Sequence, residues 1–294
     1  LFESLISNVA LNGGFTLNIG PRADGSVPYE SIDRLDNVGE WLARYGESIY
    51  GNTGVPLRAN QHDWGKITYN TVRKQVYLQV FNWPLDRTIR LTGINSKPQK
   101  VELLQADGST TPLTYTQAGP LMHIHTPAKA SDHYVSVIRI SYDSLEWDKE
   151  VVAESTFGGF ALHSNNLSPA IPANQIAIYD GTRPTHFRSE GDSYQWKVYF
   201  PAAGTYAIDL SAHNPGDENT TLEVNCANST LTYSWKPNGK LVAEPNENNY
   251  TDEFVNAPIG EVSIPKAGYY TLSLKTTNNQ ILYVNRLWIN TQEK

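Results

Sequence analysis

The sequence predicts a mainly β protein: two antiparallel β-sandwiches preceded by a helix–strand–helix lead-in. Three observations carry this. Apolar residues recur at helical spacing only in the first fifty positions. Beyond about Tyr50 the pattern changes to short alternating runs. Those runs are interrupted by Gly, Pro, Asn and Asp every roughly 8–12 residues, the spacing of strands in a sandwich.

In the lead-in, Phe2, Leu5, Ile6 and Val9 form one helical stripe over residues 1–12, and Gly13-Gly14 supplies a left-handed stop. Phe15–Ile19 reads as a short strand running into the loop GPRADGSVP (20–28). Pro28 suits a first helical turn, and Ile32, Leu35, Val38, Trp41, Leu42 and Tyr45 make a second stripe that Gly46 ends. Helix, strand, loop, helix is the end of an α/β unit. A lone strand makes no sheet, and the chain opens inside a helical pattern, so the sequence reads as a piece of a longer protein.

A linker at Gly51, Gly54 and Pro56 leads into the first sandwich, 56–142. Its expected strands are Gln75–Asn82, Thr88–Leu91, Lys100–Leu104, Leu113–Tyr115, Leu121–His125 and His133–Ser141, with Asp107-Gly108 as a hairpin turn. The second sandwich, 143–294, is expected to hold strands at Glu150–Ser155, Gln175–Tyr179, Tyr194–Phe200, Gly204–Ser211, Thr221–Cys226, Thr230–Trp235, Gly260–Ile264, Gly268–Thr276 and Ile281–Asn290. Within it WKVYFPAAGTYAIDLSA and VSIPKAGYYTLSLKT echo one another: strand, Pro-x-Ala-Gly turn, strand opening near a tyrosine.

Composition narrows the function. The 294 residues carry a net charge of −7, against a nucleic-acid partner, which wants a basic stripe. The single cysteine, Cys226, has no partner for an internal disulfide and reads as a buried apolar residue. No run approaches the ~18 apolar residues of a membrane-spanning helix. Asn-x-Ser/Thr triplets at Asn166, Asn219, Asn228 and Asn249 matter only in a glycosylating host. His123 and His125 alternate on one strand and share a face, with His133 on a neighbouring run, but no third ligand is near in sequence. Glu40 and Glu47 read as solvated surface.

One stretch is specific enough to name. Asn12-Gly13-Gly14, Leu17-Asn18-Ile19-Gly20-Pro21, Asp24-Gly25, Pro28, Gly39, Trp41, Leu42 and Gly46-Glu47-Ser48-Ile49-Tyr50-Gly51 together resemble the end of the catalytic (β/α)8 barrel in α-L-fucosidases of glycoside hydrolase family 29. VYLQVFNWP (76–84) and VELLQADG (101–108) resemble the sandwich that follows that barrel. The resemblance implies a barrel remnant at 1–55. It also implies retaining hydrolysis of terminal α-L-fucose from glycans by a parent enzyme. Retention needs two carboxyl groups only about 5–5.5 Å apart. The family's aspartate nucleophile lies upstream and matches no position here; Glu146-Trp147-Asp148 lies past the barrel and is not assigned that role. The chain alone is therefore expected to be inactive. No cofactor is required, the partners are a fucosylated glycan and the upstream barrel, and the substrate class implies a secreted or periplasmic home. The alternative is a non-catalytic carbohydrate-binding or adhesion protein of two sandwiches.

By barrel geometry, Asn18, Arg22 and Asp24 are placed at the mouth of the last strand near the sugar, or else as builders of a tight turn. VVAEST (151–156), YQWKVYFPAAGTYAIDLSAH (194–213), GYYTLSLKT (268–276) and LYVNRLWIN (282–290) resemble the galactose-binding-like sandwiches used as carbohydrate-binding modules of families 6 and 35. Such modules stack a sugar ring on an aromatic side chain while polar groups fix its hydroxyls. The candidates are Trp235, Tyr250, Phe254 and Tyr179, with Asn248 or Asn249 as hydrogen-bond partners; Trp235 is open between core and binding. Trp196, Tyr206, Tyr270 and Trp288 are expected in the core. The resemblance also implies a structural calcium, with Glu154 as a ligand and Asn285 where an acid would fit better.

Overall fold

The structure is a computed structural model, and it describes residues 1–57, 62–163, 166–168, 185–187, 193–239, 254–280 and 282–291. The protein is mainly β, with four antiparallel sheets. Two compact units divide the chain: residues 1–117 with 122–149, and residues 118–121 with 150–294.

The first unit opens with helices α1 (Phe2–Ala10) and α2 (Tyr29–Tyr45), a single 3-10 turn at Gly46–Ser48, and nine strands. These are β1 (Thr53–Gly54), β2 (Gly65–Asn70), β3 (Gln75–Val80), β4 (Thr88–Thr92), β5 (Lys100–Leu104), β6 (Thr110–Pro112), β7 (Tyr115–Ala118), β8 (Leu121–His125) and β9 (Ser136–Ser141). One sheet runs β1-β2-β3-β9-β5-β6 and the other β4-β8-β7. Val76, Leu78 and Val80 on β3, Ile89 and Leu91 on β4, and Ile138 and Ile140 on β9 belong to the apolar core between them. The opposite face of β3 is buried too, because Tyr77 joins Ile6, Trp41, Tyr45 and Val137 in a second core beneath the two helices. Trp41 Nε1 donates to Val135 O at 2.9 Å, which ties α2 to the segment entering β9. Asp107-Gly108 makes the expected hairpin turn, with Gly108 at φ 84°.

Four expectations for this unit change. Leu113–Tyr115 is no strand, because Leu113 and Thr114 make the corner between β6 and β7. The left-handed stop after α1 is Asn12, at φ 59°, not Gly13. Gly13 N donates to Asn8 O and Asn12 N to Val9 O, the paired bonds of a Schellman ending. Asparagine takes that conformation at small cost, and its side chain is put to use: Asn12 Oδ1 accepts from Gly54 N at 2.7 Å. Gly54 is required by the same approach, since a Cβ there would lie 2.2 Å from Ala10 O. Phe15–Ile19 forms no strand: strand geometry needs a neighbouring ladder, and no described segment pairs with it. Glu47 is not a solvated carboxylate. It accepts from Arg139 Nη1 at 3.1 Å, while Arg139 Nη2 reaches Glu102 at 3.0 Å.

The second unit holds β10 (Phe160–Leu162), β11 (Thr185–Phe187), β12 (Ser193–Phe200), β13 (Gly204–His213), β14 (Thr220–Cys226), β15 (Ser229–Trp235), β16 (Val255–Ile264), β17 (Gly268–Thr276) and β18 (Leu282–Thr291). One sheet runs β10-β18-β13-β16, with β11 also on β18; the other runs β12-β17-β14-β15. Strict alternation on β12 and β14 puts Trp196, Val198, Phe200, Leu222, Val224 and Cys226 into one shared core. Glu150–Ser155 is not a strand; it makes only single bridges, Val151 to Lys197 and Glu154 to Phe160. Trp196 and Tyr206 are core residues as expected, and Tyr270 packs against the core from its margin. Trp288 departs from expectation. Leu287 and Ile289 take the inward positions on β18, so alternation turns Trp288 to the other face, where it is half-buried.

The two echoed phrases become two copies of one device. Each carries the chain from one sheet to the other: β12 to β13, and β16 to β17. The copies lie side by side, with Phe200 opposite Gly268 and Gly204 opposite Ile264.

Candidate functional site

The loop 20–28 is built as a turn. Gly25, at φ 82°, donates its N–H to Arg22 O, and Arg22 N donates to Ser26 O at 2.8 Å. Asp24 Oδ1 accepts from Ser26 N at 3.0 Å and from Ser26 Oγ at 2.7 Å. Those bonds hold the Asp24 carboxyl below its ordinary range, so it stays ionised within its own turn. Asn18, Arg22 and Asp24 are all exposed. In the same stretch of chain Leu17, Ile19, Val27, Ile32 and Leu35 are 37–43% exposed.

In the second unit the residues marked for sugar stacking separate. Trp235 is buried at 4% exposure, joins the core, and donates Nε1 to Asn238 Oδ1 at 3.3 Å. Its ring offers no open face to a ligand, which corrects the binding assignment. Phe254 is half-buried just before β16, its ring centroid 6.3 Å from that of His213. Tyr179, Tyr250, Asn248 and Asn249 lie outside the described residues.

Glu154 is buried beside its bridge to Phe160. Asn285 sits elsewhere in the hydrogen-bond pattern: its Nδ2 donates to Ser211 Oγ at 3.4 Å, and its carbonyl lies 3.3 Å from His163 Nδ1. Among the described residues no group of three or more His, Cys, Asp and Glu side chains is placed to hold a metal ion, the His123–His125 pair included. Cys226 is buried, and burial pushes its thiol up to about 11, so it remains a protonated apolar group. Asn166 is buried with its side chain bonded to His163 N and Ala161 O, whereas Asn228 stands exposed at the tip between β14 and β15.

One polar group escaped the sequence reading. His213 ends β13 and is 3% exposed, and neither ring nitrogen has a partner among the described residues. The available signal was a histidine closing an alternating strand just before Asn214-Pro215-Gly216.

The helix–loop–helix with its Asp24-Gly25 turn lies within the span that a known family model matches. Residues 1–47 match the family model of α-L-fucosidase. Curated relatives match longer stretches of the chain. An α-L-fucosidase of Dictyostelium discoideum is 32% identical over 149 residues, 48% of this chain and 32% of its own length. Tissue α-L-fucosidase of Homo sapiens is 32% identical over 113 residues, 37% of this chain and 23% of its own. The chain thus spans about a third or less of these relatives. The crystal structure of an α-L-fucosidase from Vibrio sp. strain EJY3 covers 98% of this chain with 50% of its own, at a TM-score of 0.59 and 19% identity. That likeness is one of fold. No helix among the described residues is long and apolar enough to cross a membrane.

Proposed function

We propose that this chain is the C-terminal portion of a retaining α-L-fucosidase that removes terminal α-L-fucose from glycans, with its nucleophile and acid/base in a preceding catalytic barrel. The observation that carries this is the family match over 1–47, the segment in which Leu17, Ile19, Val27, Ile32 and Leu35 leave apolar side chains exposed. Exposed apolar side chains in this number suit a covering surface, and we assign that surface to the preceding barrel. Asn18, Arg22 and Asp24 then border the sugar site at the barrel's rim. The substrate class places the enzyme in a secreted or periplasmic compartment. We read the second unit as a carbohydrate-binding module, supported by its self-contained two-sheet core.

Hydrolysis of an aryl α-L-fucoside tests the reading. The chain alone should give no turnover, and the chain joined to its preceding barrel should give robust turnover. Turnover by residues 1–294 alone, lost on replacing an acid within them, would overturn it.

A further inference from the structure

We infer that the outer face of the sheet around β18 is a saccharide-binding platform, on which Trp288 stacks against a neutral sugar ring while Asp209, Asn290 and Arg286 bond its hydroxyls. The inference rests on reading the second unit as carbohydrate-binding, and it supplies the open aromatic that reading lacked once Trp235 proved to be core.

Register builds the platform. Leu287 and Ile289 fill the core, so Arg286, Trp288 and Asn290 share the outer face of β18, each roughly 7 Å from the next along the strand. Trp288 stands opposite Asp209 on β13 and Ala161 on β10. Asn290 stands opposite Ala207, and Arg286 opposite Ser211. A side chain on a sheet face is covered by its cross-strand neighbours. Ala161, Ala207 and Ser211 are too small to cover an indole, so part of the Trp288 ring stays open to solvent.

The polar groups around it are uncommitted. Among the described residues no hydrogen bond or ion pair engages the side chain of Trp288, Asp209, Asn290 or Arg286. Arg286 is exposed and the other three are half-buried, so all four are open to a ligand. Asn290 is also held in place. The turn before β10 is closed by Ser155 N donating to Gly159 O at 3.0 Å, and a Cβ on Gly159 would collide with Asn290 Oδ1. That turn carries Phe157, 89% exposed, two residues from the contact, as a second apolar surface at this border of the face.

The chemistry selects the ligand class. The indole face takes the C–H face of a pyranose, and its Nε1–H donates. The Asp209 carboxylate accepts, the Arg286 guanidinium donates, and the Asn290 amide does both, which matches hydroxyls that donate and accept in turn. One carboxylate and one guanidinium cancel, so the face suits a neutral sugar. A protein or lipid partner wants a contiguous apolar patch; here one indole stands among small and polar side chains.

The test uses the full chain with L-fucose, D-galactose, D-xylose and D-mannose as probes, read by calorimetry and by indole N–H chemical shifts. At least one sugar should bind and move the Trp288 indole signal. Trp288→Ala should abolish that binding. Asp209→Asn, which keeps the size and shape of the side chain, should weaken it about tenfold while leaving the melting temperature unchanged. Binding unchanged in both variants would overturn this site and leave the module reading standing. No binding of any probe by the unaltered chain would overturn both.

Discussion

Tyr206 and Tyr270 make the same bond in two places: each phenol donates to the carbonyl four positions earlier, Ala202 O and Lys266 O, both at 3.0 Å. Each bond closes one of the two sheet-switching turns of the second unit, and Phe200 lies between them, 4.6 Å from the Tyr206 ring and 5.9 Å from that of Tyr270.

Tyr206→Phe and Tyr270→Phe should therefore each cost about 1 kcal/mol, the net worth of one such bond. The rings against Phe200 are retained, so the double substitution should be close to additive. Urea denaturation measures all three. A Tyr270→Phe chain as stable as the unaltered one would show its bond contributes nothing.

Trp235→Ala should behave as a core truncation. Loss of a buried indole costs about 3–5 kcal/mol. The measurement is again urea denaturation, and a change under 1 kcal/mol would return Trp235 to the surface candidates.

Gly54→Ala should loosen α1. The added methyl would meet Ala10 O, a backbone atom that yields only if the helix end moves, at about 1–3 kcal/mol. Hydrogen exchange of the α1 amides should rise in Gly54→Ala, and also in Asn12→Ala, which loses the 2.7 Å bond to Gly54 N.

Acid should weaken the first unit through His62. Burial lowers this imidazole from 6.5 to about 4, and its Nε2 uses a lone pair to accept from Thr92 N at 3.0 Å. The folded state thus binds the proton less readily than the unfolded chain. The stabilisation is full above pH 6.5 and is lost as pH falls toward 4, by about 3 kcal/mol in total. Thermal melts of the unaltered chain and of His62→Gln between pH 7 and pH 4 check this; the variant's slope should be shallower.

Much of the fold was legible because alternation and turn residues are local signals. Strands β12 and β14 follow directly from period-two burial, and α2 from its stripe ending at Tyr45. What escaped depends on neighbours. Phe15–Ile19 has strand composition but no ladder, and Trp288 is a large aromatic whose side of the sheet was set by Leu287 and Ile289. Glu47 read as surface because its partner, Arg139, is remote in sequence. At the candidate sites, residue type suggested stacking for Trp235, while only the packed sheet showed it enclosed and His213 unpaired.

The bond from Asn12 to Gly54 has one more consequence. It fastens together the two ends of a long excursion that contains the exposed loop 20–28, while Ile6 holds α1 in the apolar core beside Trp41. A protease cutting at that loop would break the chain without releasing the piece before it. The nicked protein would run as two polypeptides in denaturant and migrate as one in native buffer.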